Sequence, residues 1–210
     1  MYRSKIFLAV SLALAVFGLG SSALSQGNRD KSNFGIRTTE SYAVYSAILR
    51  KMINSPENGD SVDLLVINKK TSTDNIFENW GDKVFRKKKA AVSRNFWKAQ
   101  ADYKLRNKKS GKLINSFALT TKYILIDQKE FNDFFKKDNL KEDWENFFHK
   151  YPKSPGFITF SRIGFDKGYK HAFVYREVNC GMLCAGGSYI LLKKTANGWE
   201  QIKEILFWAS

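Results

Sequence analysis

Cysteine, histidine and proline are scarce in this chain of 210 residues: two, two and three respectively. The two histidines, His149 and His171, are scattered, so no metal centre and no cofactor are expected. Few prolines beside an aromatic content of 15% argue for a folded chain rather than a disordered one. No G-x-S-x-G, no H-E-x-x-H and no phosphate-binding glycine loop is present. Beyond the N-terminus no segment is apolar enough to span a bilayer.

The start of the chain has a different character. Arg3 and Lys5 precede an apolar run over 6–19 interrupted by Ser11 and Gly18, and Ala23-Leu24-Ser25 offers small residues at the cleavage positions. That order is the pattern of a secretory signal peptide. The rival, a membrane anchor, wants about 20 apolar residues and finds fewer here. Residues 1–25 are therefore expected to be removed, giving an exported protein, periplasmic or extracellular. A polar, loose arm over 26–37 and a single domain over 38–210 follow.

The formal charge of +15 is concentrated. Residues 83–112 hold twelve basic side chains, among them Arg86, Lys87, Lys88, Lys89, Arg94 and Lys98, against one acid, Asp102. With Phe85, Phe96, Trp97 and Tyr103 interleaved, the segment suits nucleic acid or an anionic envelope polymer. The same letters also describe an amphipathic helix that buries its aromatics and solvates its lysines. We favour that second reading and expect no dedicated nucleic-acid binding.

Thr38 is expected to cap a helix over 39–53 with Tyr42, Tyr45, Ile48, Leu49 and Met52 as its apolar stripe. A strand over 62–68, the basic helix closed by Ser110-Gly111, a strand over 119–127 and a helix over 131–151 come next. Then the period switches to two, predicting strands at 157–165, 171–178, 188–194 and 199–208. Short turns at 166–168 and 196–198 each supply a glycine for positive φ. The fold class is α+β, helices packed on a C-terminal four-stranded antiparallel meander. By analogy this order suits a cone-shaped, NTF2-like fold.

Several segments resemble a family of uncharacterised secreted bacterial proteins. They are Tyr42-Ala43-Val44-Tyr45-Ser46-Ala47, Leu65-Val66-Ile67 with Thr71, and Trp144, Phe147-Phe148 and Tyr151-Pro152. The likeness is densest in Ser161-Arg162-Ile163-Gly164-Phe165, Ala172-Phe173-Val174-Tyr175, Gly186-Gly187-Ser188-Tyr189 and Trp208-Ala209-Ser210. The resemblance implies export and the same domain plan, and brings no activity with it.

Cys180 and Cys184 flank one strand connection, and two cysteines in an exported chain are expected to pair. The rivals are a thiolate metal site with His171 or His149 and a redox pair. Arg162 stands in an otherwise apolar strand, and a pocket of Arg162, Tyr175, Glu177 and His171 is the candidate site. Whether Arg162 shares a face with Tyr175 and Glu177 depends on the first hairpin: a four-residue loop unites them, a three-residue loop separates them. Function is read as non-catalytic binding or structural. The alternatives are a small hydrolase using Arg162, His171 or Asp166, and a binder of anionic polymers through 83–112.

Overall fold

The computed structural model describes residues 21–55, 61–73, 94–136 and 139–210. The expected signal sequence before residue 21, and Arg86, Lys87, Lys88 and Lys89 of the basic segment, lie outside them. The chain divides into two units, residues 1–37 and Thr38–Ser210.

Helix α1 runs from Ser21 to Ile53. It begins well before Thr38, where the sequence placed its N-cap, so residues 26–37 are helical in backbone rather than a loose arm. Once a nucleus exists, each added residue gains a hydrogen bond, which lets a helix extend through polar sequence. In the second unit the expected stripe faces the core, with Tyr42, Tyr45, Ile48 and Leu49 buried and Met52 packed against them. A loop clamps this helix: Ile114 N–H donates to Tyr42 Oη and Ala118 N–H to Ser46 Oγ, at 2.7 and 2.9 Å.

Among the described residues the remaining elements are β1 (Leu64–Asn68), α2 (Arg94–Arg106), β2 (Lys122–Ile126), α3 (Gln128–Asn132), α4 (Leu140–Lys150), β3 (Phe157–Phe160), β4 (Gly164–Phe165), β5 (His171–Asn179), β6 (Ala185–Thr195) and β7 (Gly198–Ala209). They form an α+β fold around one mixed sheet of seven strands, in the order β2-β1-β3-β5-β6-β7 with β4 beside β5. The four-stranded antiparallel meander is thereby corrected. Strands β3, β5, β6 and β7 do pair antiparallel, but β1 joins β3, and β2 joins β1, in parallel. Parallel pairing needs a long crossover and leaves no local turn signal. The NTF2-like analogy loses its all-antiparallel basis with that correction.

Three smaller expectations also change. The helix over 131–151 is two helices, because Asn139 caps α4 by accepting from Glu142 N–H. Helix α2 ends at Arg106, short of Ser110-Gly111, where Asn107 Nδ2 donates to Tyr103 O and to Arg162 O, both at 2.9 Å. In the β4–β5 turn the left-handed residue is Tyr169 (φ 51°), not Gly168; Gly198 does carry the expected positive φ, 107°.

One sheet face is covered by α1, whose cluster joins Leu65 and Ile67 to Ile158, Phe160, Val174, Ile190 and Trp199. The opposite face carries two clusters. Phe96, Ala99 and Tyr103 of α2 cover Phe173, Tyr189 and Leu191. Phe131 and Phe147, from α3 and α4, cover Val66 and Phe157. Gly164 sets how closely α2 approaches: a Cβ there would lie 2.2 Å from Ala99 O and 2.3 Å from Tyr103 N.

Candidate functional site

Between those two clusters the sheet presents a row of positions that neither uses. Thr159 of β3 pairs with Glu177 of β5, Glu177 with Gly187 of β6, and Gly187 with Trp208 of β7. Asn68, at the end of β1, extends the row; its amide donates to Thr159 Oγ1 at 3.4 Å and to Gln128 Oε1 at 2.8 Å. Asn68 and Thr159 are buried, whereas Glu177, Asn179 and Trp208 are half-buried. The row thus leads from the interior to the rim.

Gly187 makes the arrangement possible. A Cβ there would stand 2.1 Å from Tyr175 Oη and 2.3 Å from Trp208 Nε1. In the space left open, Trp208 Nε1 donates to Tyr175 Oη at 2.8 Å, and Tyr175 donates to Glu177 Oε2 at 3.3 Å. Asn179 Nδ2 donates to the other oxygen, Oε1, at 2.9 Å. Neutral donors therefore orient the carboxylate, and no cation among the described residues pairs with it. A carboxylate offers about four lone-pair sites, so this one keeps acceptor capacity for a ligand.

Of the four residues expected to share a pocket, Tyr175 and Glu177 meet. Arg162 does not join them. The turn over 167–170 has four residues, since Asp166 N–H donates to His171 O, and it aligns Gly164 with Phe173. Continued without interruption, that register would set Arg162 opposite Tyr175. Instead Phe160 pairs with Arg176, a shift of one residue across 161–163, so Ser161 takes the place opposite Tyr175. Tyr175 N–H donates to Ser161 Oγ at 2.8 Å, while Arg162 is turned to the end of α2, its N–H donating to Asn107 Oδ1 at 2.8 Å. A one-residue bulge has redirected a side chain, as bulges do.

His171 shares the face of Tyr175 and Glu177 but belongs to another contact. Its Nδ1 lies 2.8 Å from Asp166 Oδ2, and its ring meets Phe96 edge-on. Asp166 also accepts from Lys170 N–H and His171 N–H, at 2.8 and 3.2 Å. Burial would raise the Asp166 pKa, but the hydrogen bonds from His171 and the two backbone amides together outweigh it and hold the pKa below the usual aspartate value.

In the described part of the basic segment, Phe96 and Tyr103 are buried while Arg94, Lys98 and Trp97 are exposed. Cys180 and Cys184 form a disulfide across the β5–β6 connection, with Cα atoms 5.0 Å apart. Among the described residues no group of three or more His, Cys, Asp or Glu side chains is placed to hold a metal ion.

Sequence reasoning missed Asn68, Thr159, Gly187 and Trp208 as members of one site. A signal existed: Thr159 interrupts an apolar strand, and Tyr175 and Glu177 are two apart, hence on one face. What joins them is a register across five strands. No protein-family model, no curated protein and no solved structure matches this chain.

Proposed function

We propose that the chain is an exported, non-catalytic binding domain whose site is the polar row, with Glu177 as its fixed acceptor. The carrying observation is the half-buried Glu177 carboxylate, oriented by Tyr175 and Asn179, with Trp208 behind Tyr175. An acceptor held this way, without a counter-charge, recognises a ligand rich in hydroxyl or ammonium donors. Catalysis would ask for a proton donor or nucleophile free to act on a bound group. Here the Tyr175 hydroxyl and the Asn179 amide donate to the carboxylate they orient. Export rests on the signal-like first 25 residues and is compatible with the disulfide, a bond of oxidising compartments. Among the described residues no helix is long and apolar enough to cross a membrane.

A second reading, a small hydrolase, draws on the Asp166–His171 pair. One experiment separates the two. In a thermal-shift screen of the processed chain with mono- and disaccharides and with polyamines, a stabilising compound is expected, and Glu177→Gln should weaken it roughly tenfold. Equal binding by Glu177→Gln overturns the assignment of the site. Turnover of a chromogenic ester that disappears in His171→Ala replaces binding by hydrolysis.

A further inference from the structure

The opposite face holds a second site. Arg176 and Glu177 are successive in β5, so their side chains point to opposite faces. Arg176 enters the α1 side between Val174 and Val178, with Phe160 across the strand pair. Its Nη2 donates to Glu204 Oε1 at 2.7 Å, and Gln201 Nε2 donates to the other Glu204 oxygen at 2.8 Å. A guanidinium carries five N–H donors, and the buried Arg176 Nε has no hydrogen-bond partner among the described residues. Burial lowers the Arg176 pKa, and the Glu204 charge opposes that shift.

An incompletely satisfied guanidinium is costly to bury. This one lines an open cavity of about 730 Å³ where the end of α1 meets β5 and β7, a volume within the usual range for small-molecule sites. Met52, Pro155 and the disulfide contribute apolar lining, while Lys51 adds a second cation. Among the described lining residues, two cations stand against one acid, Glu204.

We propose that this cavity binds a small ligand carrying one carboxylate on a short apolar body. The carboxylate takes the remaining Arg176 donors and faces Lys51; the apolar body lies against Met52 and Pro155. A planar guanidinium matches a carboxylate better than any other side chain does. The disulfide fixes the wall beside Arg176, which reduces the ordering cost of binding. The site is independent of the polar row.

The test is a titration of the isotope-labelled processed chain, followed by two-dimensional amide NMR. Three probes differ only in charge: N-acetylleucine (anion), N-acetylleucinamide (neutral) and leucinamide (cation). N-acetylleucine should shift amides at 51–55, 176–184 and 201–204, with the other two weaker by roughly tenfold. Arg176→Met should weaken the anion by a similar factor, and Gln201→Glu, which sets a second acid beside Glu204, should do so without touching Arg176. Should Arg176→Met not fold, Gln201→Glu decides alone. The proposal is overturned by the neutral probe binding equally well, by shifts confined to other regions, by no shift with N-acetylleucine, or by unchanged affinity in Gln201→Glu. Glu177→Gln should leave this binding intact, so failure here and failure of the polar row are distinguishable.

Discussion

The two faces of the sheet solve the burial problem differently. On one, a single long helix lays a continuous stripe over strands β1 to β7, and the apolar cluster runs unbroken from Leu65 to Trp199. Among the described residues, charge enters this face at two ion pairs, Arg176–Glu204 and Lys194–Glu40, and Glu40 also accepts from Trp199 Nε1 at 2.7 Å. On the other, α2 and the α3–α4 pair cover separate clusters, and the seam between them is where Asn68, Thr159, Glu177 and Trp208 stand. A face covered by one element has little room for polar side chains. A face shared by two leaves a seam, and side chains released from packing there become available for recognition.

The comparison breaks first at the seat of α2. Gly164→Ala drives a Cβ against backbone atoms of Ala99 and Tyr103, which cannot rotate away. Overpacking of this kind costs typically 1–3 kcal/mol and occasionally more, and the upper end, roughly 3 kcal/mol, is expected by urea unfolding. The polar row should lose its ordered Trp208 environment with it, visible as a changed near-ultraviolet circular dichroism. A Gly164→Ala protein as stable as the wild type would mean that α2 does not pack on β4, and the seam would have no boundary.

The ion pair sharpens the other side of the comparison. Glu204→Ala leaves the half-buried Arg176, whose Nε is fully enclosed, without its charged acceptor, a loss of roughly 1–3 kcal/mol. Arg176→Met removes the buried cation, replaces it with apolar volume, and leaves the more exposed Glu204 reachable by water, with 32% of its side chain accessible. Replacing a buried charge by an apolar side chain is often neutral or stabilising, so a change within about 1 kcal/mol of wild type is expected. If both substitutions cost the same, Arg176 is a structural brace rather than a strained group awaiting a ligand.

How much of this was legible follows the range of each signal. The α1 stripe is spaced by threes and fours within one segment, and Tyr42, Tyr45, Ile48 and Leu49 could be read without any partner. Cys180 and Cys184 needed only a hairpin. The alternation that marks β5 to β7 was equally local. The sequence marks β1 and β2 as strands but does not place them, because their partners are reached by crossovers through α2 and through α3–α4. Arg162 shows the limit best: the four-residue turn that would have set it beside Tyr175 is present, yet the shift at 161–163 cancels it. The polar row is the sum of several such registers, and Gly187 declares its purpose only once Tyr175 and Trp208 are seen to close over it.

The smallest expected effect concerns a contact beyond the seam, at the turn that begins β5. Asp166 receives His171 Nδ1 and two backbone amides, and its pKa is lowered in the folded state. A carboxylate with a lowered folded pKa contributes stability that is fully present above its unfolded value, about 3.9 for aspartate. That stability is lost as pH falls through the folded value. Asp166→Asn keeps an acceptor for the amides of Lys170 and His171 but has no charge to lose. The wild type should therefore exceed the variant by about 1 kcal/mol near neutral pH. The gap should hold down to weakly acidic conditions and close only below the ordinary aspartate range. Urea unfolding of both proteins at a series of pH values measures it. A difference that stays constant into strong acid would show that the turn is held by backbone geometry alone. A difference that widens as pH falls through the carboxylate range would mean that the ionised form is not the one the fold prefers.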